Sequence, residues 1–130
     1  MTRKTYSGKS ISSSGPYSHA VDAGDYIFFS GQTANNALNA PDLSGDISAQ
    51  TKKCFDHLFE VMEQTGLTSD DVVKVNVYLT TMKNFDAMNE VYKTQFSTPY
   101  PARTCVAVLE LPLEAEVEIE LIAKRPQHSL

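Results

Sequence analysis

The segment Glu116-Val117-Glu118-Ile119-Glu120-Leu121-Ile122-Ala123 alternates acid and hydrocarbon almost residue by residue. A period of two sends successive side chains to opposite faces of a sheet. Val117, Ile119, Leu121 and Ala123 therefore share one face, and Glu116, Glu118 and Glu120 share the other. A second strand pattern precedes it, Pro101-Ala102-Arg103-Thr104-Cys105-Val106-Ala107-Val108, entered from a proline turn. Here Thr104, Val106 and Val108 fall on one face, Arg103, Cys105 and Ala107 on the other. With the valines packed on the core, the expectation is an outer face that carries a guanidinium beside a ladder of carboxylates. For an arbitrary Arg and Glu the ordinary reading is a solvated sheet face with a weak surface ion pair. The rest of the chain decides between that reading and a site.

A chain of 130 residues is expected to form one domain, residues 1–130, with a sizeable core. Its formal net charge of −5 argues against a nucleic-acid or membrane-surface footprint. No apolar run approaches membrane-spanning length. The start, Met1-Thr2-Arg3-Lys4-Thr5-Tyr6-Ser7-Gly8, lacks the apolar stretch of a signal peptide, so the cytoplasm is the expected compartment. Cys54 and Cys105 are too few and too far apart for a disulfide framework or a zinc knuckle. His19, His57 and His128 show no ligand spacing. With no glycine-rich phosphate loop and no nucleophile elbow, neither metal nor cofactor is expected.

Tyr26-Ile27-Phe28-Phe29-Ser30-Gly31 follows the turn signal Gly24-Asp25 and reads as a strand, hairpinned to one around Ser18 to Asp22. Thr33 to Gly45 reads as a long loop. From Ile47 to Thr65 the period changes: Phe55, Leu58, Phe59 and Met62 form a helical stripe, with Asp46 or Ser48 as the cap and Gly66 as the stop. Cys54 borders this stripe as buried packing, and His57 lies off it, facing solvent. Val72 to Leu79 is the strongest strand, with Val73, Val75, Val77 and Leu79 as its apolar face. A second helix carries Phe85, Met88, Tyr92 and Phe96 on one stripe, Asn89 at its edge, and ends before Pro99 and Pro101. The expected architecture is an α/β two-layer sandwich, a mixed sheet with two helices on one face. The uncovered face, expected to show Arg103, Cys105, Ala107 and the glutamates, invites closure by another subunit.

Gly15-Pro16-Tyr17-Ser18, Ser30-Gly31-Gln32, Ala49-Gln50-Thr51, Asn89-Glu90-Val91-Tyr92, Pro101-Ala102-Arg103-Thr104-Cys105-Val106 and Val117-Glu118-Ile119-Glu120 occur in this order. Together they resemble the Rid (YjgF-like) family of enamine/imine deaminases, over roughly Gly15 to Arg125. The resemblance implies a chorismate-mutase-like fold and a homotrimer with active sites between subunits. It implies hydrolysis of 2-aminoacrylate and 2-aminocrotonate, or their imine tautomers, to 2-oxo acids and ammonia without a cofactor. It assigns Arg103 to grip the substrate carboxylate bidentately and a glutamate to activate water and return the proton to the departing nitrogen. Parity does not separate Glu118 from Glu120; the family pattern selects Glu118. By the same resemblance Tyr17, Ser30, Gly31, Asn89 and Cys105 line the substrate site. No His is placed to make Cys105 a nucleophile. Thr33-Ala34-Asn35-Asn36 departs from the proline-containing stretch that usually follows Ser-Gly-Gln in the family, and His19 stands where Gln is common. Both changes bear on the cleft mouth and leave Arg103 and Glu118 in place.

The alternative reading is a non-catalytic protein that binds 2-oxo acids, which needs Arg103 but not Glu118. RNA cleavage, attributed to some relatives of the family, is disfavoured by the acidic balance and by the lack of a basic–aromatic stripe.

Overall fold

Three strongly apolar, period-two segments assemble into the middle of one sheet. The structure, a computed structural model, describes residues 2–12, 15–35 and 42–126. The strands are β1 (Lys4–Tyr6), β2 (Ala20–Asp22), β3 (Tyr26–Thr33), β4 (Val72–Leu79), β5 (Ala102–Ala107) and β6 (Val117–Lys124), and the helices are α1 (Ile47–Thr65) and α2 (Phe85–Gln95). The sheet order is β1-β2-β3-β6-β4-β5. Neighbours are antiparallel except β4 and β5, which run parallel and are joined through α2, as a parallel pair requires a crossover. This is the expected single-domain, mixed-sheet α/β sandwich; β1 is an addition that the sequence pattern did not announce. Of the expected loop from Thr33 to Gly45, residues 36–41 lie outside the described residues, as does His128.

The alternating glutamate strand sits centrally, between β3 and β4. Val117, Ile119, Leu121 and Ala123 are all buried, and they meet Val75, Val77 and Leu79 of β4 on the same face. Both helices cover this face: Phe55, Leu58, Val61 and Met62 of α1 and Met88 and Tyr92 of α2 are buried in the same core. Phe55 packs edge-on against Tyr92 and Phe96, with ring centroids 5.7 and 5.5 Å apart, and so locks the two helices together. Asp46 caps α1 by accepting from the Ala49 N–H at 3.0 Å, and Gly66 ends it in the left-handed region at φ 80°.

Three expectations about which way side chains face are overturned. Arg103 and Cys105 pair in register with Val75 and Val77, so they point to the helix-covered face, away from the glutamates. Thr104 and Val106 face the open side instead, Val106 being 42 % exposed. Val106 is not core because β5 is an edge strand, whose facing is set by its register on β4 rather than by its own hydrophobicity. Val73 is exposed and Val72 buried, because β4 carries one extra residue between Val72 and Lys74, a bulge that resets the alternation. His57 is buried, not solvent-facing, and its Nδ1–H donates to the Thr33 carbonyl at 3.0 Å. The buried face of α1 is wider than its apolar stripe and takes in Gln50, Thr51 and His57, each held by hydrogen bonds.

Candidate active site

The register of β3 on β6 steps by three residues against two between Phe29 and Gln32. The extra residue makes a bulge at Ser30-Gly31, a device that commonly re-aims side chains beside a site. Next to it lies a cleft of about 240 Å³ lined by Tyr17, Ser30, Gly31 and Glu118, and also by Ile11, Gln32, Asn35 and Leu113. Four of the expected site residues thus meet here. Ser30 is fixed at both ends, its N–H donating to the His19 carbonyl at 2.9 Å and its hydroxyl to the Ser18 carbonyl at 2.6 Å. Tyr17 is partly exposed at the rim.

Glu118 lies against the bare backbone of Gly31. A Cβ placed on Gly31 would collide with the Glu118 carboxylate oxygen and lie 3.0 Å from its Cδ. Gly31 is not among the residues at positive φ, so its role is space rather than conformational freedom. Burial, with the neighbouring Glu120 charge as a second cause, pushes the Glu118 pKa above the ordinary glutamate range. Glu120 is held differently: it accepts from the Tyr78 hydroxyl at 2.6 Å and from the Asn76 amide at 3.1 Å. Glu118 thus lines this cleft, while Glu120 is hydrogen-bonded to β4.

Gly31→Ala should displace the Glu118 carboxylate and leave the fold intact. A misplacement near 1 Å is capable of costing about 10²-fold in rate. Turnover measured beside a thermal melt would separate the two effects; unchanged turnover would show that Glu118 does not depend on this seat.

A second concave surface, about 370 Å³, lies between α2 and the segment leading into β5. Asn89, Tyr92, Tyr100 and Arg103 line it. The Arg103 guanidinium donates from Nη1 to Asn89 Oδ1 at 2.6 Å and sits over the rings of Tyr92 and Phe85. Among the described residues it pairs with no carboxylate. Cys105, two residues on, is half-buried against the core, and burial raises its thiol pKa, so it is held as a thiol.

The expected site residues thus form two groups, Tyr17, Ser30, Gly31 and Glu118 on one side and Asn89, Arg103 and Cys105 on the other. Arg103 is level with Val75 and Leu121 on the helix face; Glu118 is level with Tyr78 on the open face. Strands lie ~4.8 Å apart and rise ~3.4 Å per residue. Two strands across and three residues along separate the two backbones by roughly 14 Å, with the sheet between the side chains. A four-carbon acid spans only ~5 Å at ~1.5 Å per bond. One chain does not bring both groups to one small substrate. Strand alternation alone missed this separation, because it does not reveal register.

Ile11, Gln32, Asn35 and Leu113 were not anticipated. Gln32 belongs to the Ser-Gly-Gln motif and was the one with a signal; it is buried, and its amide nitrogen has no hydrogen-bond partner among the described residues. Leu113 and Glu114 take left-handed backbone at φ 58° after Pro112, and the Asn35 amide donates to the Leu113 carbonyl at 2.6 Å. No local pattern announces that turn. Among the described residues no cluster of three or more His, Cys, Asp or Glu side chains is gathered for a metal, and no helix is long and apolar enough to cross a membrane.

A mixed six-stranded sheet with two helices on one face, a bulged Ser-Gly-Gln strand and a glutamate seated on its glycine define a YjgF-like α/β domain. The chain belongs to the Endoribonuclease L-PSP family, which is the Rid (YjgF-like) family, whose model matches residues 7–125. It is 41 % identical over 108 residues to a protein of Dermatophagoides farinae named 2-iminobutanoate/2-iminopropanoate deaminase, covering 83 % of this chain and 84 % of that one. It is 39 % identical over 107 residues to the Saccharomyces cerevisiae protein MMF1, mitochondrial, covering 82 % of this chain and 73 % of that one. The crystal structure of E. coli TdcF with bound serine superposes with a TM-score of 0.85 at 32 % identity, covering 95 % of this chain and 99 % of that chain.

Proposed function

We propose that this protein hydrolyses small 2-imino acids and their enamine tautomers, such as 2-aminoacrylate and 2-aminocrotonate, to 2-oxo acids and ammonia. The observation that carries the reading is Glu118: a half-buried carboxylate, raised in pKa, facing a cleft from a seat on Gly31. The deaminase of D. farinae, 41 % identical, supports it. In this reading Glu118 takes a proton from water as the oxygen bonds to the imine carbon and passes it to the nitrogen, giving a neutral carbinolamine. It then takes the carbinolamine hydroxyl proton and delivers it to the nitrogen as the C–N bond breaks, so that ammonia leaves and the C=O forms. Arg103 grips the carboxylate, with Asn89 and Cys105 beside it and Tyr17, Ser30 and Gly31 as the facing wall. The reaction as written consumes water alone.

The distance between the two groups gives the assembly its part in this proposal. A second copy must bring the edge strand that carries its Arg103 to the Glu118 cleft, and a trimer, as the resemblance implies, is the arrangement we propose. Light scattering coupled to size exclusion should give a trimer; a monomer that still turns over would remove the inter-subunit site. The cytoplasm remains the proposed compartment, although a relative carries a mitochondrial name.

Ammonia and pyruvate release from freshly generated 2-aminoacrylate tests the reaction. The pH profile tests its base. Glu118 must be ionised to take a proton, so the acid limb of kcat/KM should fall above the ordinary glutamate range. Glu120→Gln removes the like charge that contributes to the shift and should move that limb to lower pH. A limb that stays in place would detach it from Glu118.

The serine bound to E. coli TdcF favours one second reading, a binding protein for small amino or oxo acids. Oxo-acid binding without ammonia release would establish it. The family's description as an endoribonuclease finds less support in this chain, which has a formal net charge of −5 and carries Glu118 and Glu120 on its open face.

A further inference from the structure

We propose that Tyr92 and Phe85 are positioning residues for Arg103, their rings setting the plane of the guanidinium and thereby the affinity for a small carboxylate. The inference rests on the reading of Arg103 as the carboxylate grip and adds what makes the grip work. Phe85, Asn89 and Tyr92 are spaced i, i+4 and i+7, so they share one face of α2. The Arg103 Cζ lies 4.6 Å from the Tyr92 ring centroid and 5.6 Å from that of Phe85. Both distances are within reach of cation–π attraction. Asn89 takes one N–H at 2.6 Å. A guanidinium has five N–H donors in a rigid fork, so a planar pair of donors is left for a ligand. Lysine held by the same rings would have no plane to set.

Tyr92 itself is 94 % buried, its hydroxyl has no hydrogen-bond partner among the described residues, and it lines the same concave surface as Arg103 and Asn89. Burial raises the phenol to about 12, so the ring beside the bound anion stays neutral. Nearby Lys93 is paired with Glu90 at 2.9 Å, leaving Arg103 as the cation of this surface without an acidic partner among the described residues. The ring, not the hydroxyl, faces the guanidinium, so Phe should replace Tyr92 and an aliphatic residue should not.

Calorimetric titration with 2-oxobutyrate and steady-state turnover would be measured for Tyr92→Phe, Tyr92→Leu and Phe85→Leu, each also in an Arg103→Ala background. The Leu variants should weaken oxo-acid binding about 5- to 30-fold, the range of a partly desolvated cation–π contact. They should raise KM more than they lower kcat, while Tyr92→Phe stays within twofold of wild type. In the Arg103→Ala background Tyr92→Leu should add nothing. Wild-type affinity in both Leu variants, equal loss in Tyr92→Phe, or an undiminished loss without Arg103 would each overturn the proposal. Because Tyr92 also packs on Phe55 and Phe96, the half-buried Phe85→Leu carries the test if Tyr92→Leu does not fold. A readout independent of any ligand is the 15N relaxation of the Arg103 side chain, which should be rigid in wild type and mobile in Phe85→Leu. Equal rigidity in both would sink the positioning role, whereas a wild type that binds no oxo acid would sink only the carboxylate reading.

Discussion

Glu118→Gln should all but stop imine hydrolysis while 2-oxobutyrate still binds through Arg103. The amide keeps the size of the side chain and loses the capacity to take a proton from water. General acid–base groups contribute typically ~10²–10⁴ in rate, and a fall of that order in kcat is expected from a deamination assay. Glu120→Gln should do far less to the maximal rate, because Glu120 is engaged by Tyr78 and Asn76. If the Glu120 variant were the inactive one, the family register carried onto this strand would be wrong. The same Glu118 substitution should also stabilise the fold, with a definite sign in pH. A carboxyl whose folded pKa is raised binds its proton more tightly in the folded state, so its ionisation costs stability. That cost is absent well below the ordinary glutamate range. It grows as pH rises through that range and is complete above the raised folded pKa. The Tm of Glu118→Gln should therefore match wild type at low pH and exceed it near neutrality. A residue that gains stability and loses turnover on the same change is spending stability on function.

Arg103→Lys should lose at least roughly tenfold in kcat/KM although the charge is kept. An ammonium is a point donor and cannot reproduce two parallel N–H bonds to a planar carboxylate. Loss of one charge-assisted hydrogen bond costs on the order of 1.5–3 kcal/mol. It also leaves Asn89 Oδ1 without its present donor. Titration with 2-oxobutyrate should weaken in parallel, which separates a binding defect from the chemical defect of Glu118→Gln. Wild-type kinetics in Arg103→Lys would remove the bidentate role. Mixing Glu118→Gln with Arg103→Ala, which removes the guanidinium outright, gives a test of the assembly: if sites form between copies, some mixed oligomers regain an intact Arg103–Glu118 pair and activity returns in part. No recovery under conditions of subunit exchange would argue that each chain completes its own site.

Periodicity carried most of the architecture. The alternation in β6, the β-branched run of β4 and the stripe over Ile47–Thr65 are local signals of burial, and local burial is what a central strand or a two-sided helix expresses directly. Asp46 or Ser48 and Gly66 marked the ends of α1 for equally local reasons, a side-chain acceptor and a residue free to adopt left-handed backbone, and the structure selects Asp46. The family was legible too, since the types and order of Tyr17, Ser30, Gly31, Asn89, Arg103, Cys105 and Glu118 resemble it. Facing was not legible wherever a neighbour decides it. The bulges at Val72–Lys74 and at Phe29–Gln32 each insert a residue that reverses the alternation beyond it, and His57 is buried by the strand end it hydrogen-bonds to. Above all, the sequence by itself determined the strands that bear Arg103 and Glu118 and the chemistry those groups are capable of. Only the tertiary structure decided that they stand on opposite faces of one sheet, because a strand's alternation is internal, while its register is a property of the pair it makes with its neighbour.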